Sequence, residues 1–310
     1  MLMVLNRGSG AGKAGIRWDR YGKRIIEIAG LEAEDLTIVE GEVDVEKCLK
    51  EALDEGETFF VAAGGDGTFN RMVTGLMRAE GELGQDIILG AIGLGSSNDL
   101  HKPLDGRKVV EGIPLRLDRE RSPKANIVRI RTLDVEGAEK VSYSVVNSSF
   151  GIISMGNRIF NRPHGLTAFL KKVWTPLGIY SAAVMAVVGF DPFNCRLFLD
   201  GKEKSTSVTN LSILLNPHFT GDLEYDTPID QYTDHFLVNL AEGMGVFGRL
   251  NLFIRMIRGK FIGNPKCHSW KVKEFVVVPD SPIGIEYDGE VDVVSRAEFA
   301  LIRGGIRICA

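Results

Sequence analysis

Within its first hundred residues the chain passes three times from a short apolar, β-prone segment into a glycine-rich stretch. Met3–Leu5 precedes Gly8–Gly15, Phe59–Ala63 precedes Gly64–Thr68, and Ile87–Ile92 precedes Gly93–Ser97. Helical spacing occupies Ile16–Ala29, Val45–Leu53 and Thr68–Arg78, and Leu36–Val39 reads as one more strand. Strands alternating with helices make βαβ units on a parallel sheet. In such a sheet the ligand crevice opens beyond the carboxyl ends of the strands. The three glycine-rich loops are therefore expected to gather at one edge of one sheet.

After about Asp118 the period changes. Ala125–Thr132, Lys140–Asn147, Asn194–Leu199, Val208–Leu215, Phe236–Ala241, Ser269–Val278 and Ile283–Tyr287 are strand-like, and short polar turns such as Asp200-Gly201 join many of them. That pattern predicts a mainly antiparallel region with helical insertions at about Leu166–Val188 and Val246–Arg258. The expected fold is a Rossmann-like α/β domain over residues 1–120, to which 295–310 returns, and a β-rich sandwich domain over 121–294.

Composition narrows the function. Lys and Arg number 37 against 41 Asp and Glu, a net charge of −4, which argues against a nucleic-acid binder. Four scattered cysteines form neither a CxxC pair nor a zinc pattern, as suits a reducing compartment. Met1–Asn6 reads as a first strand and not as a signal peptide. The uncharged stretch Leu177–Phe190 is too short to span a bilayer comfortably. A cytoplasmic protein is expected, with any membrane contact peripheral.

Glycines let a backbone approach a phosphate closely, and a helix N-terminus adds free N–H groups and partial positive charge. Gly64-Gly65-Asp66-Gly67-Thr68 has both features. Its aspartate would oppose a bare anion, so Asp66 suits a site where Mg²⁺ stands between carboxylate and phosphate. Read alone, each loop is also compatible with an ordinary turn. Gly8-Ser9-Gly10-Ala11-Gly12-Lys13 lacks the spacing and the hydroxyl residue of a Walker A loop.

Taken in order, Asn6-Arg7-Gly8-Ser9-Gly10, Gly64–Asn70, Leu94-Gly95-Ser96-Ser97-Asn98-Asp99-Leu100 and Asp288-Gly289-Glu290 resemble the diacylglycerol kinase catalytic domain family. That family includes bacterial diacylglycerol kinases, YegS-like lipid kinases and sphingosine kinases. The resemblance implies an ATP-dependent kinase acting on a lipid alcohol, with an N-terminal nucleotide domain and a β-rich lipid domain. It implies that Asn6, Gly64, Gly65, Asp66, Gly67, Thr68, Phe69, Asn70, Ser96 and Asp288 serve ATP binding. Asp66 and Glu290 would be catalytic, with Glu290 the base that takes the proton of the lipid hydroxyl. By spacing alone, Asp288-Gly289 reads as a hairpin turn. The resemblance also implies a structural Mg²⁺ held by Asp234 and the carbonyls of Gln231 and Phe236. Departures from the family pattern stand at Arg7 for proline, Val39-Glu40 for a nucleotide-contacting threonine, Arg71 for an acid, Lys102 for arginine and His235 for glycine.

Residues 246–273 hold Arg249, Arg255, Arg258, Lys260, Lys266, Lys271 and Lys273 and no acid. Val246–Arg258 has helical apolar spacing and reads either as a basic amphipathic helix on an anionic bilayer or as a core helix with a solvated basic face. The expected partners are a lipid substrate and an anionic membrane surface, and a homodimer is compatible. The competing functions are an NAD kinase-like enzyme and a catalytically silent lipid- or nucleotide-binding protein.

Overall fold

The structure, a computed structural model, describes residues 1–31, 36–41, 44–80, 87–104, 108–161, 175–220 and 223–310. It divides into two compact units, Met1–Ile127 with Ile302–Ala310, and Val128–Leu301.

The first unit runs β1 (Leu2–Leu5), α1 (Lys13–Ala29), β2 (Thr37–Glu40), α2 (Val45–Asp54), β3 (Phe59–Gly64), α3 (Asp66–Glu80), β4 (Ile88–Gly93), a 3-10 turn at Asp99–His101, β5 (Lys108–Val110) and β6 (Ile113–Arg116). β1 lies between β2 and β3, and β3 pairs with β4, all in parallel. Residues Arg307 and Ile308 return to pair in parallel with Ile88 and Leu89. β6 closes on the other half of β4 in antiparallel fashion. Strands β1, β3 and β4 are buried throughout, which is why they read as continuous apolar runs and not as alternations. Met3, Leu5, Val61, Ala63 and Ile92 from these strands pack with Ala14 and Ile25 of α1 in one core.

The second unit takes up β7 (Lys124–Leu133) from Val128 onward. It continues with β8 (Glu139–Ser144), β9 (Asn147–Gly151), α4 (Ile152–Asn161), α5 (Thr175–Gly189), β10 (Phe193–Leu199), β11 (Lys202–Leu214), β12 (His218–Phe219) and β13 (Leu223–Glu224). Then come β14 (Phe236–Glu242), α6 (Val246–Ile257), β15 (Cys267–Val272), β16 (Glu274–Pro279), β17 (Ile283–Tyr287), β18 (Glu290–Val294) and β19 (Arg296–Ile308). The pairings β9–β11, β11–β14, β14–β15, β10–β11, β10–β16 and β9–β17 are all antiparallel. Phe150, Leu211, Phe236, Val238, Phe275, Ile285 and Phe299 form its core.

Two expected strands are each divided, and both breaks have a carboxylate at their centre. Lys140–Asn147 becomes β8 and β9 because Asp288 draws the N–H groups of Val145, Val146 and Asn147 out of the ladder. Ser269–Val278 becomes β15 and β16 because Asp200 Oδ1 accepts from the N–H groups of both Lys273 and Glu274. Helix α4 was not expected from its isoleucine-rich sequence. Gly151 (φ 89) makes the strand-to-helix turn, where a Cβ would lie 2.4 Å from the Thr209 carbonyl oxygen. The expected insertion from Leu166 is seen as α5 from Thr175 onward, and its earlier part lies outside the described residues.

Candidate functional site

In the first unit the three glycine-rich loops follow β1, β3 and β4 and meet at the carboxyl edge of the parallel sheet. Their contacts are backbone on backbone. A Cβ on Gly95 would lie 2.5 Å from the Gly65 Cα, and one on Gly64 would lie 2.3 Å from Thr68 Oγ1. Gly10 (φ 61) sits against the Leu94 carbonyl, where a Cβ would be 3.4 Å from the oxygen. The Gly64 carbonyl accepts from the N–H groups of Leu94 (2.8 Å) and Gly95 (3.1 Å). A side chain at Gly65 or Gly95 would press these loops apart, and one at Gly64 would displace Thr68.

Polar side chains lock the convergence. Asn6 Nδ2 donates to Thr68 Oγ1 at 3.0 Å, and Asn6 Oδ1 accepts from the Gly8 N–H at 3.1 Å. Ser9 Oγ accepts from the Gly65 N–H at 2.9 Å. Asn98 holds a left-handed backbone (φ 51), which asparagine tolerates better than most residues. Its side chain donates to the carbonyls of Gly93 and Gly95 and accepts from the Gly95 N–H. Helix α3 begins at Asp66, so its first turn opens on the same loops.

Asp66 is half-buried, with its carboxylate turned inward. Oδ2 accepts from the Asp99 N–H at 3.1 Å and Oδ1 from the Leu100 N–H at 3.0 Å. The carboxylate thus caps the Asp99–His101 turn and ties the second motif to the third. Burial pushes its pKa up, while the Leu100 and Asp99 N–H groups and the nearby Lys102 ammonium pull it down. Lys102 Nζ is ion-paired to Asp99 Oδ1 at 2.7 Å.

The other residues of these motifs divide by exposure. Ser96 is exposed, and Gly65 and Gly67 are half-buried. Thr68, Phe69 and Asn70 are buried, and the Phe69 ring is 2% exposed. A ligand at this edge would meet the backbone of residues 64–70 and not the Phe69 ring. Two departures from the family pattern touch one another: Arg7 Nη1 is 3.6 Å from Glu40 Oε2 at the end of β2. Arg7 Nη2 also bonds Asp19 Oδ2 of α1 at 2.5 Å.

In the second unit, Asp288 (φ 44) and Gly289 (φ 95) form a two-residue turn of the I′ type between β17 and β18, with Tyr287 paired to Glu290. Asp288 is 3% exposed, and its oxygens accept from Ser144 Oγ and the N–H groups of Val145, Val146 and Asn147. With these donors, this carboxylate pins the hairpin. Glu290 opens β18 and is half-buried.

Sequence reading passed over Glu286. It is buried, with Oε1 accepting from the Gly289 N–H at 2.7 Å and Oε2 from Ser149 Oγ at 2.9 Å. Burial raises its pKa to about 7, and the neighbouring Asp288 charge adds to the rise. It braces the hairpin that carries Glu290. No short motif marks such a residue, because its burial and its Ser149 partner depend on a strand more than 130 residues away.

Asp234, expected to hold a structural magnesium with the carbonyls of Gln231 and Phe236, is exposed just before β14. Asp234 Oδ1 lies 3.0 Å from His235 Nδ1, and Oδ2 lies 3.6 Å from Lys273 Nζ. The His235 contact, then the Lys273 charge, lower its pKa. Gln231 Nε2 donates to the Val145 carbonyl at 2.8 Å, and Phe236 is fully buried. Among the described residues no three His, Cys, Asp or Glu side chains gather as a metal site.

Known proteins extend this picture. A Streptococcus pneumoniae protein, provisionally named a lipid kinase, is 22% identical over 295 residues, covering 93% of this chain and 90% of its own. A crystal structure of a Bacillus anthracis protein, provisionally named a diacylglycerol kinase, has a TM-score of 0.70 at 14% identity, covering 99% of this chain and 96% of that one. A second B. anthracis structure, titled a diacylglycerol kinase, gives 0.68 with the same identity and coverage. These structures share the fold. The match to the diacylglycerol kinase catalytic domain family spans residues 1–130, the stretch that carries all three glycine-rich loops.

Proposed function

We propose that the protein is an ATP-dependent lipid kinase that transfers the γ-phosphoryl group to a lipid hydroxyl. The observation that carries this reading is the meeting of three glycine loops at the carboxyl edge of the parallel sheet, where α3 begins. Loops of this kind offer N–H groups to phosphate oxygens, and the α3 N-terminus adds favourable potential for negative charge. The nucleotide enters as its magnesium complex. Asp66 acts as a brace that keeps the second and third loops together, and the exposed Ser96 hydroxyl is available to the nucleotide.

The reaction is an in-line displacement. The lipid oxygen forms its bond to the γ-phosphorus as the bond to the β–γ bridging oxygen breaks and ADP leaves. Glu290 receives the hydroxyl proton. Glu286 and Asp288 hold the turn that presents it. General-base assistance of this kind is worth about 10²–10⁴-fold.

The test is transfer of label from γ-labelled ATP to a panel of lipid alcohols: diacylglycerol, a sphingoid base, phosphatidylglycerol, an ether lipid and a polyprenol. Label extracted into chloroform with at least one of them is the expected result. Label transferred only to NAD, and retained in the aqueous phase, would overturn the reading.

A further inference from the structure

Helix α6 leaves an apolar row exposed and buries a cation. Its buried face is Arg249, Leu252 and Met256, while Val246, Phe247, Ile254 and Ile257 are exposed, Phe247 by 88%. A helix in contact with water normally buries its apolar stripe and exposes its charges. Here the cation is inside, with Arg249 Nη2 donating to the Val188 carbonyl in the last turn of α5 at 3.3 Å. The apolar row continues past the helix to Ile262, also exposed, in a loop that Asp226 orders by accepting from the N–H groups of Phe261 and Ile262.

The adjoining α5 repeats the pattern. It carries no charge, buries Ala182, Ala186 and Val187, and exposes Tyr180, Val184, Met185 and Val188. Residues 180, 184 and 188 recur every four positions and so share one face of the helix. Two neighbouring helices therefore each turn an apolar stripe outward, and contiguous exposed apolar surface of this kind marks an interaction site.

The charges beside α6 identify the partner. Arg258 and Lys260 are exposed at its end, and no described carboxylate forms an ion pair with either. Between 246 and 273 there are seven cations and no acid. Two copies of this chain meeting through a two-fold contact would bring Arg258 and Lys260 of both into one interface with no acid in the segment to answer them. Lipid phosphates answer them, and hydrocarbon receives the isoleucines and the phenylalanine. We infer that α6, with α5 beside it, is a docking surface for an anionic bilayer, with Phe247 and Ile254 entering the acyl boundary and Arg258 and Lys260 at the headgroups. This surface goes beyond the kinase reading, because docking is measured whether or not the protein phosphorylates lipid.

The experiment uses the full chain and vesicles of phosphatidylcholine with and without phosphatidylglycerol. Three proteins are compared by co-sedimentation: wild type, Phe247→Ser with Ile254→Ser, and Arg258→Glu with Lys260→Glu. These side chains are exposed, so each variant should keep its melting temperature. Wild type should bind the anionic vesicles, and each double variant should lose about tenfold or more in affinity. A separate Phe247→Trp protein should shift its emission to the blue on adding anionic vesicles. Wild-type binding by the serine variant, no binding by wild type, or a tryptophan that stays in water would each overturn the proposal. So would a wild-type dimer that the serine variant converts to monomer, since that assigns the stripe to a second copy.

Discussion

Gly65 and Gly95 touch through their backbones, close enough that a Cβ on Gly95 would sit 2.5 Å from the Gly65 Cα. The nearest atom is backbone, with Asn98 Oδ1 next at 2.9 Å, so a methyl group at Gly95 must displace the second or the third loop. Gly95→Ala should cost about 1–3 kcal/mol of stability from overpacking. ATP affinity should fall by roughly tenfold or more, the equivalent of about 1.4 kcal/mol. Calorimetric titration of the folded variant checks this. Unaltered ATP affinity would show that the loop contact does not shape a nucleotide site.

Asp66 receives N–H groups on both oxygens, so its replacement tests the bracing role directly. Asp66→Asn keeps one acceptor and turns an NH₂ group toward a backbone donor. Facing two donors in a partly buried site costs about 1–3 kcal/mol. The expected outcome is a lower melting temperature together with weaker ATP binding. A variant with full stability that loses only turnover would instead make Asp66 a group acting on the phosphates.

The hairpin residues should separate by readout. Glu290→Gln keeps the shape of the side chain and cannot take a proton. Its turnover should drop by about 10²–10⁴-fold with ATP binding and melting temperature little changed. Asp288→Asn places an amide among four donors, and its main effect should be on stability, about 2–3 kcal/mol. Steady-state kinetics and urea melts on both variants decide the matter. Wild-type turnover in Glu290→Gln would move the base to another carboxylate.

Glu286 predicts a pH dependence of stability. Its folded-state pKa stands near 7, above the ordinary carboxyl value of 4.5 that the unfolded chain has. Between those values the folded state holds the extra proton, so this group's contribution is complete below about pH 4.5 and is lost as pH rises through 7. Glu286→Gln cannot titrate. The difference in unfolding free energy between variant and wild type should therefore shift by roughly 1–3 kcal/mol in the variant's favour from pH 4.5 to pH 8. Urea melts at the two pH values measure it, and a constant difference would show that Glu286 is ionised in the fold throughout.

The α/β part of the fold was legible because β1, β3 and β4 are buried on both faces and bounded by glycine. Apolar runs of four to six residues that lead into a glycine-rich loop leave few alternatives to central parallel strands. The loops were legible for a related reason, since only glycine allows Gly65 to meet Gly95. The I′ turn at Asp288-Gly289 follows from two positive φ angles, which this residue pair tolerates well.

Long-range pairing decided the rest. Lys140–Asn147 reads as one strand until Asp288, more than 140 residues away, takes its N–H groups. Asp66 reads as a carboxylate beside phosphates, and only the fold shows that two backbone donors from the third loop reach it. Arg7 and Glu40 read as separate departures until the β1 and β2 ends bring them together. The periodicity of α6 shows that the helix has two faces, and only its neighbours determine that Arg249 is inside and Phe247 outside. Local sequence thus set the strands, turns and glycine loops, because backbone conformation and apolar runs are properties of adjacent residues. Which carboxylate meets which donor, and which helix face meets water, depended on residues far apart in the chain, so those were fixed only by the tertiary structure.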